Sequence, residues 1–177
     1  MFRFALPIIQ ALLSEPAPYC ALVLAPTHEL AFQIAEQFDA LGTVVGLKTC
    51  VIVGGVDATQ QALALARKPH VIVATPGRIL HHLETTKGFS LRALRFLVLD
   101  EADRMLSMNF EESLSRIVLE LPKHRRTFLF SATMTSSVAK LERASLKDPV
   151  KVNVTQNKFG TVAELRQTYL LIPAKQK

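Results

Sequence analysis

Cysteine is scarce: Cys20 and Cys50 are the whole complement of a 177-residue chain. They have no CxxC spacing and no neighbouring His partner, which argues against a zinc site. Each lies in an apolar run, so two buried, reduced thiols in a cytosolic or nuclear protein are expected. No stretch reaches the roughly 18 apolar residues of a membrane span, so no membrane partner is expected. Residues 1–13 place one basic residue before an apolar stretch, as a weak signal peptide would. Pro7 and Gln10 interrupt that stretch, and an amphipathic helix is the expectation. Acidic, Gly/Ser-rich and repeated tracts are absent, which leaves only the ends as candidates for disorder.

What is present suits one globular domain: 49% hydrophobic and 20% charged residues in a chain long enough for a sizeable core. The formal net charge of +6 fits a polyanionic partner such as nucleic acid, although many basic domains bind none. Short aliphatic runs recur at Ala21–Ala25, Thr49–Val53, Val71–Ala74, Phe96–Leu99, Thr127–Phe130 and Val150–Val154. Most lack polar alternation, which is how strands buried on both faces read. Between them lie helical segments at Glu29–Leu41, Ala58–Ala66, Phe110–Leu121 and Ser136–Leu146, with Thr135 or Ser136 as a cap for the last. The alternation predicts an α/β fold, a parallel sheet with helices on both faces. Leu165–Ile172 reads as one further strand beyond Gly160.

In such sheets, chemistry collects at the C-terminal strand ends. Phe96–Leu99 delivers Asp100-Glu101-Ala102-Asp103 there. Asp100 can hold Mg²⁺ through its water shell, and Glu101 can orient and deprotonate an attacking water. A polar strand end that merely caps a helix is the plainer alternative. Thr127–Phe130 ends in Ser131-Ala132-Thr133, whose hydroxyls can bond a neighbouring carboxylate or cap a helix. Val71–Ala74 ends in Thr75-Pro76-Gly77-Arg78, where Gly admits a phosphate and Arg attracts it, or where Pro simply opens a helix. Ala21–Ala25 ends in Pro26-Thr27-His28-Glu29-Leu30, and Val53 is followed by Gly54-Gly55, whose bare amides could face phosphate.

In this order and spacing, these residues resemble the DEAD-box RNA helicases, along essentially the whole chain. Asp100–Asp103 is similar to the motif that names that family; Pro26–Leu30, Gly54-Gly55, Thr75–Arg78 and Ser131–Thr133 are similar to its motifs Ia, GG, Ib and III. The resemblance implies a RecA-like sheet and an ATP-dependent RNA helicase with ATP and Mg²⁺ as cofactors. It implies that Asp100 handles the metal, that Glu101 activates water, and that Asp103, Ser131 and Thr133 couple hydrolysis to RNA binding. Pro26, Thr27, His28, Gly54, Gly55, Thr75, Pro76, Gly77 and Arg78 would grip the RNA sugar-phosphate backbone without reading sequence. Leu30–Phe38, Lys87–Arg92 and Phe128–Met134 resemble the eukaryotic group that processes ribosomal RNA. That implies a place in the nucleus and nucleolus, with pre-ribosomal proteins as possible partners.

The chain departs from the family pattern in three places. It has no GxxxxGK[ST] loop, the Walker A motif, and no upstream Gln motif for adenine. Residues 4–13 resemble the helix that follows Walker A, so the expectation is an incomplete first RecA-like domain over 1–160. Residues 161–177 would be a linker and the first strand of a second, without its arginine finger. The Walker strand would be missing from mid-sheet, leaving unpaired groups inside it. His28 stands where the family usually has Arg, which should weaken RNA contact and deprive Glu29 of a cationic partner. The competing readings are a non-enzymatic RNA- or protein-binding fragment and a metal-dependent phosphohydrolase using Asp100, Glu101 and Asp103 unaided.

Overall fold

The computed structural model describes residues 2–153 and Thr168. Five strands form one parallel sheet: β1 (Ala21–Leu24), β2 (Thr49–Ile52), β3 (Val71–Ala74), β4 (Phe96–Leu99) and β5 (Arg126–Leu129), in the order β2-β3-β1-β4-β5. β1 lies at the centre, with Leu22 level with Ile72 on one side and Leu97 on the other. All four residues of β1, β3 and β4 are buried, whereas β2 and β5 are only partly covered. Unalternated runs are therefore the three inner strands, as burial on both faces requires.

Successive residues of each inner strand enter opposite cores. Leu22, Leu24, Ile72, Ala74, Leu97 and Leu99 pack on one face, with Ile79 and Leu80 of α4 (Pro76–Thr85), Met105 of α5 (Ala102–Ser107), Leu114 and Ile117 of α6 (Glu111–Glu120) and Leu141 of α7 (Ser136–Ser145). Ala21, Val23, Val71, Val73, Phe96 and Val98 pack on the other, against Phe4, Ile8 and Leu12 of α1 (Phe2–Ser14) and Ile34 and Phe38 of α2 (His28–Gly42). α1 is the amphipathic helix expected from the sequence and includes Pro7. α3 (Ala58–Ala66) follows β2.

Helix starts follow local chemistry. Thr27 Oγ1 accepts from the Leu30 N–H at 3.3 Å, Asp57 Oδ1 from Thr59 at 2.9 Å, and Thr135 Oγ1 from Val138 at 3.3 Å. Pro76 opens α4, where its missing N–H costs nothing.

Four expectations change. The short α5, unforeseen in the sequence, begins directly after β4. Residues 150–153 form no strand, and Val150 and Val152 are exposed. The sheet has no internal gap, since each described strand is hydrogen-bonded to the next and β5 lies at an edge with β4 as its one partner strand among the described residues. Cys20 is buried as expected, but Cys50 on the edge strand β2 is only partly so. Burial nonetheless pushes the Cys50 thiol up to about 12. By its internal contacts the chain divides between Lys147 and Asp148, and everything that follows concerns the first unit. The boundary expected at Gly160 and, Thr168 apart, the Leu165–Ile172 strand lie outside the described residues.

Candidate functional site

A parallel sheet brings all its C-terminal strand ends to one edge, and strand order sorts what they carry. The ends of β2, β3 and β1 form one half. A cleft of about 690 Å³ there is lined by Pro26, Thr27, His28, Gly54, Thr75, Gly77 and Arg78. Seven of the nine residues singled out for phosphate contact thus meet in one cavity; the other two, Gly55 and Pro76, are not on its wall. Gly55 holds φ +71°, a conformation that a side chain would strain. His28 lies over the glycine turn: a Cβ at Gly54 would sit 3.4 Å from its Nε2. Glu29, part of the Pro26–Leu30 motif, also lines it, and His81, Met108 and Phe110, which were not foreseen, complete the lining. A Cβ at Gly77 would come 4.0 Å from the Phe110 ring, an ordinary van der Waals contact. His81 follows Arg78 by one helical turn; a three-residue spacing on a helix was the signal available for it.

The ends of β4 and β5 form the other half. Asp100 closes β4, its N–H bonded to the Leu24 carbonyl at 3.0 Å and its Oδ1 accepting from the Glu101 N–H at 3.1 Å. Burial pushes its carboxyl above the usual range, against that hydrogen bond. Glu101 has left-handed backbone, φ +50° and ψ 51°, a strain of about 1–3 kcal/mol for a residue with a Cβ. Its carboxylate pairs with Arg104 at 3.2 Å, an exposed contact that holds it loosely.

Asp103 joins the two strand ends. Its Oδ2 accepts from Thr133 Oγ1 at 2.8 Å and from the Thr133 N–H at 3.0 Å, while Ser131 Oγ donates to the Thr133 carbonyl at 2.7 Å. Partial burial works to raise the Asp103 pKa, but hydrogen bonds from Thr133, Ser131 and Arg104 outweigh it and hold it below the ordinary value. The Thr133 hydroxyl therefore bonds a carboxylate and the Ser131 hydroxyl a backbone carbonyl, while Thr135 caps α7. Among the described residues no group of three or more His, Cys, Asp or Glu side chains stands together as a metal site. No described helix is long and apolar enough to cross a membrane.

Residues 2–141 match the family model of the DEAD/DEAH box helicases. The chain belongs to that family. The DEAD-box chain is 63% identical over 174 residues to the ATP-dependent RNA helicase DDX47 of Drosophila melanogaster, and 60% to the ATP-dependent rRNA helicase rrp-3 of Neurospora crassa. It is 59% identical to the probable ATP-dependent RNA helicase DDX47 of Homo sapiens. Each alignment takes in 98% of this chain, but the chain spans only 34–38% of the length of these relatives. The crystal structure of the yeast DEAD-box splicing factor Prp28 superposes with a TM-score of 0.76 at 29% identity, over 81% of this DEAD-box chain and 36% of that one. The fold is thus the RecA-like one of this family.

Proposed function

We propose that this chain forms the RNA-gripping and water-activating part of an ATP-dependent RNA helicase that acts on ribosomal-RNA precursors in the nucleus and nucleolus. The observation that carries this is the sorting of strand ends: phosphate-binding features gather in the β1–β3 cleft, and acidic residues tied to hydroxyls gather beyond it at β4 and β5. The kinship with helicases named for rRNA supports the substrate and the compartment. Pre-ribosomal proteins are the natural partners of such a helicase.

Gly54, on the cleft wall among Thr27, His28, Thr75, Gly77 and Arg78, and Gly55 beside it would offer backbone amides to RNA phosphates. Pro26 and Pro76, both buried, fix the turns that aim these groups. Opposite, Asp100 fits the protein's share of a magnesium site: Mg²⁺ needs only one or two carboxylates beside water and nucleotide phosphates. Bound there with ATP, the metal would neutralise phosphate charge. Glu101 would orient and deprotonate the attacking water. Asp103, bridged to Thr133 and near Ser131, would pass changes at the nucleotide to the β5 end.

The test is binding of labelled single-stranded RNAs across a salt series. Weak binding, alike for all sequences, is expected, with a steep salt slope because phosphate contacts dominate. Arg78→Ala should weaken it for every sequence alike. A marked preference for one sequence at low salt would count against a cleft that reads the backbone.

A further inference from the structure

Val53 ends β2 directly before the Gly54-Gly55 turn. Its carbonyl accepts from Gln61 Nε2 at 2.8 Å. The Gln61 amide oxygen meets His82 Nε2 at 3.1 Å, and His82 Nδ1 meets Thr86 Oγ1 at 2.8 Å. Gln61 of α3 is 4% exposed and His82 of α4 is 1% exposed. The hydrogen-bond chemistry fixes every orientation. A carbonyl can only accept, so the Gln61 nitrogen faces Val53 and its oxygen faces His82. That oxygen also can only accept, so His82 Nε2 carries the proton and Nδ1 accepts from the Thr86 hydroxyl. Burial, with His81 and Arg78 nearby, holds the His82 pKa below the ordinary imidazole value, in keeping with a neutral ring.

Neither Gln61 nor His82 lines the cleft. Their chain instead touches residues next to its wall: Val53 directly precedes Gly54, and His82 directly follows His81. Val53 holds the turn whose Gly54 backs onto His28, and His82 lies one helical turn beyond Arg78 on α4. Polar side chains this buried are costly unless fully bonded, and a fully bonded network makes its surroundings rigid. We propose that Gln61 and His82 are positioning residues for RNA: they lock the Gly54-Gly55 turn to the Arg78 helix, so that the two sets of phosphate contacts are made together. This rests on the RNA reading of the cleft.

The test compares the full chain with its Gln61→Met, His82→Leu and His82→Gln variants. Three readouts are taken: affinity for labelled oligouridylate and oligoadenylate across a KCl series, amide resonances of Gly54 and Gly55, and the ring ¹⁵N shifts of His82. Gln61→Met and His82→Leu should move both glycine resonances and weaken RNA binding several-fold. The salt slope should fall by about 0.7, the value for one phosphate on a single strand. His82→Gln keeps a donor toward Gln61 and should recover most of the affinity. A merely structural role would lower the melting temperature and leave the slope of the folded protein unchanged. Folded Gln61→Met with unaltered affinity and slope would overturn the proposal, as would a proton on His82 Nδ1. If His82→Leu fails to fold, Gln61→Met and His82→Gln decide. An unmutated chain that binds neither RNA sinks the cleft reading and this proposal together; shifted glycine resonances would then show only that the link to the turn exists.

Discussion

Asp100 sits at the mouth of a strand whose four residues are all buried, and its carboxyl is pushed up by that burial despite one backbone hydrogen bond. An acid with a folded pKa above its unfolded one holds its proton more tightly when folded. Its favourable contribution is complete below the unfolded pKa and is lost as pH rises through the folded pKa. At pH 7 only the cost of the buried anion remains. Asp100→Asn should therefore raise the melting temperature at pH 7, by a margin that narrows as pH falls through the carboxylate range; melts at several pH values would check this. A variant that melts lower at pH 7 would show that the anion has a stabilising partner. Asp103 has the opposite sign: its pKa is depressed, so its link to Thr133 contributes at neutral pH and weakens as pH falls through that depressed value. In the cleft, His28 is exposed above the glycine turn. A guanidinium there keeps its charge at every working pH and offers a planar fork of donors. His28→Arg should thus tighten RNA binding and steepen its salt dependence, measured in the same KCl series; unchanged affinity would place residue 28 off the RNA path.

Among the elements, β5 is the one whose bonding invites a test. The Arg126 N–H bonds the Arg95 carbonyl and the Phe130 N–H bonds the Leu99 carbonyl, both at 2.8 Å, so even-numbered amides face β4 and the Thr127 N–H points away from it. An edge with outward amides is a template for a second chain. Proline is tolerated on an edge strand where its missing N–H would have faced outward. Thr127→Pro should therefore reduce concentration-dependent association, seen by light scattering, while keeping the β4 ladder. Thr127 Oγ1 is itself buried with no hydrogen-bond partner among the described residues, so its loss removes an unsatisfied group. Equal association in both chains would place the sticky surface elsewhere. β5 also shows where the sequence was ambiguous. Its run reads Thr127–Phe130, but the ladder takes in Arg126 and stops at Leu129, because an edge strand tolerates an exposed, charged residue. β3 and β4 were legible to the residue, since nothing polar interrupts runs that both faces bury. α5 was not, because it starts from a strained Glu101 with no side-chain cap and has only six residues. Gln61 was missed for a related reason: one polar residue in an Ala/Leu-rich helix reads as surface, and only tertiary structure reveals the carbonyl and imidazole that it joins. The motif residues were legible because each follows a largely apolar strand run, and a parallel sheet gathers such positions whatever lies between them.

For the whole molecule, the two halves of the sheet edge have unequal means of acting alone. The cleft half has Arg78 and a groove already formed, and on the proposed reading RNA would meet it without help. The acidic half has Asp100 and Glu101, which on the proposed reading would act on a nucleotide only if its phosphates were held in place. That holding takes several backbone amides and a lysine from a GxxxxGK[ST] loop. None of the seven glycines in these 177 residues is followed by Lys. On the proposed reading Asp100 would have no phosphate oxygens beside it with which to share a metal, and Glu101, tied to Arg104 by an exposed ion pair, would have no positioned phosphorus to aim water at. A polypeptide of these 177 residues should therefore bind RNA yet show no ATP turnover above background, with or without RNA. Phosphate release, with Glu101→Gln as control, measures this. RNA-stimulated release that disappears in Glu101→Gln would mean that the acidic strand end commits ATP to hydrolysis without a phosphate-binding loop. Release equal in both chains would point to a contaminating ATPase.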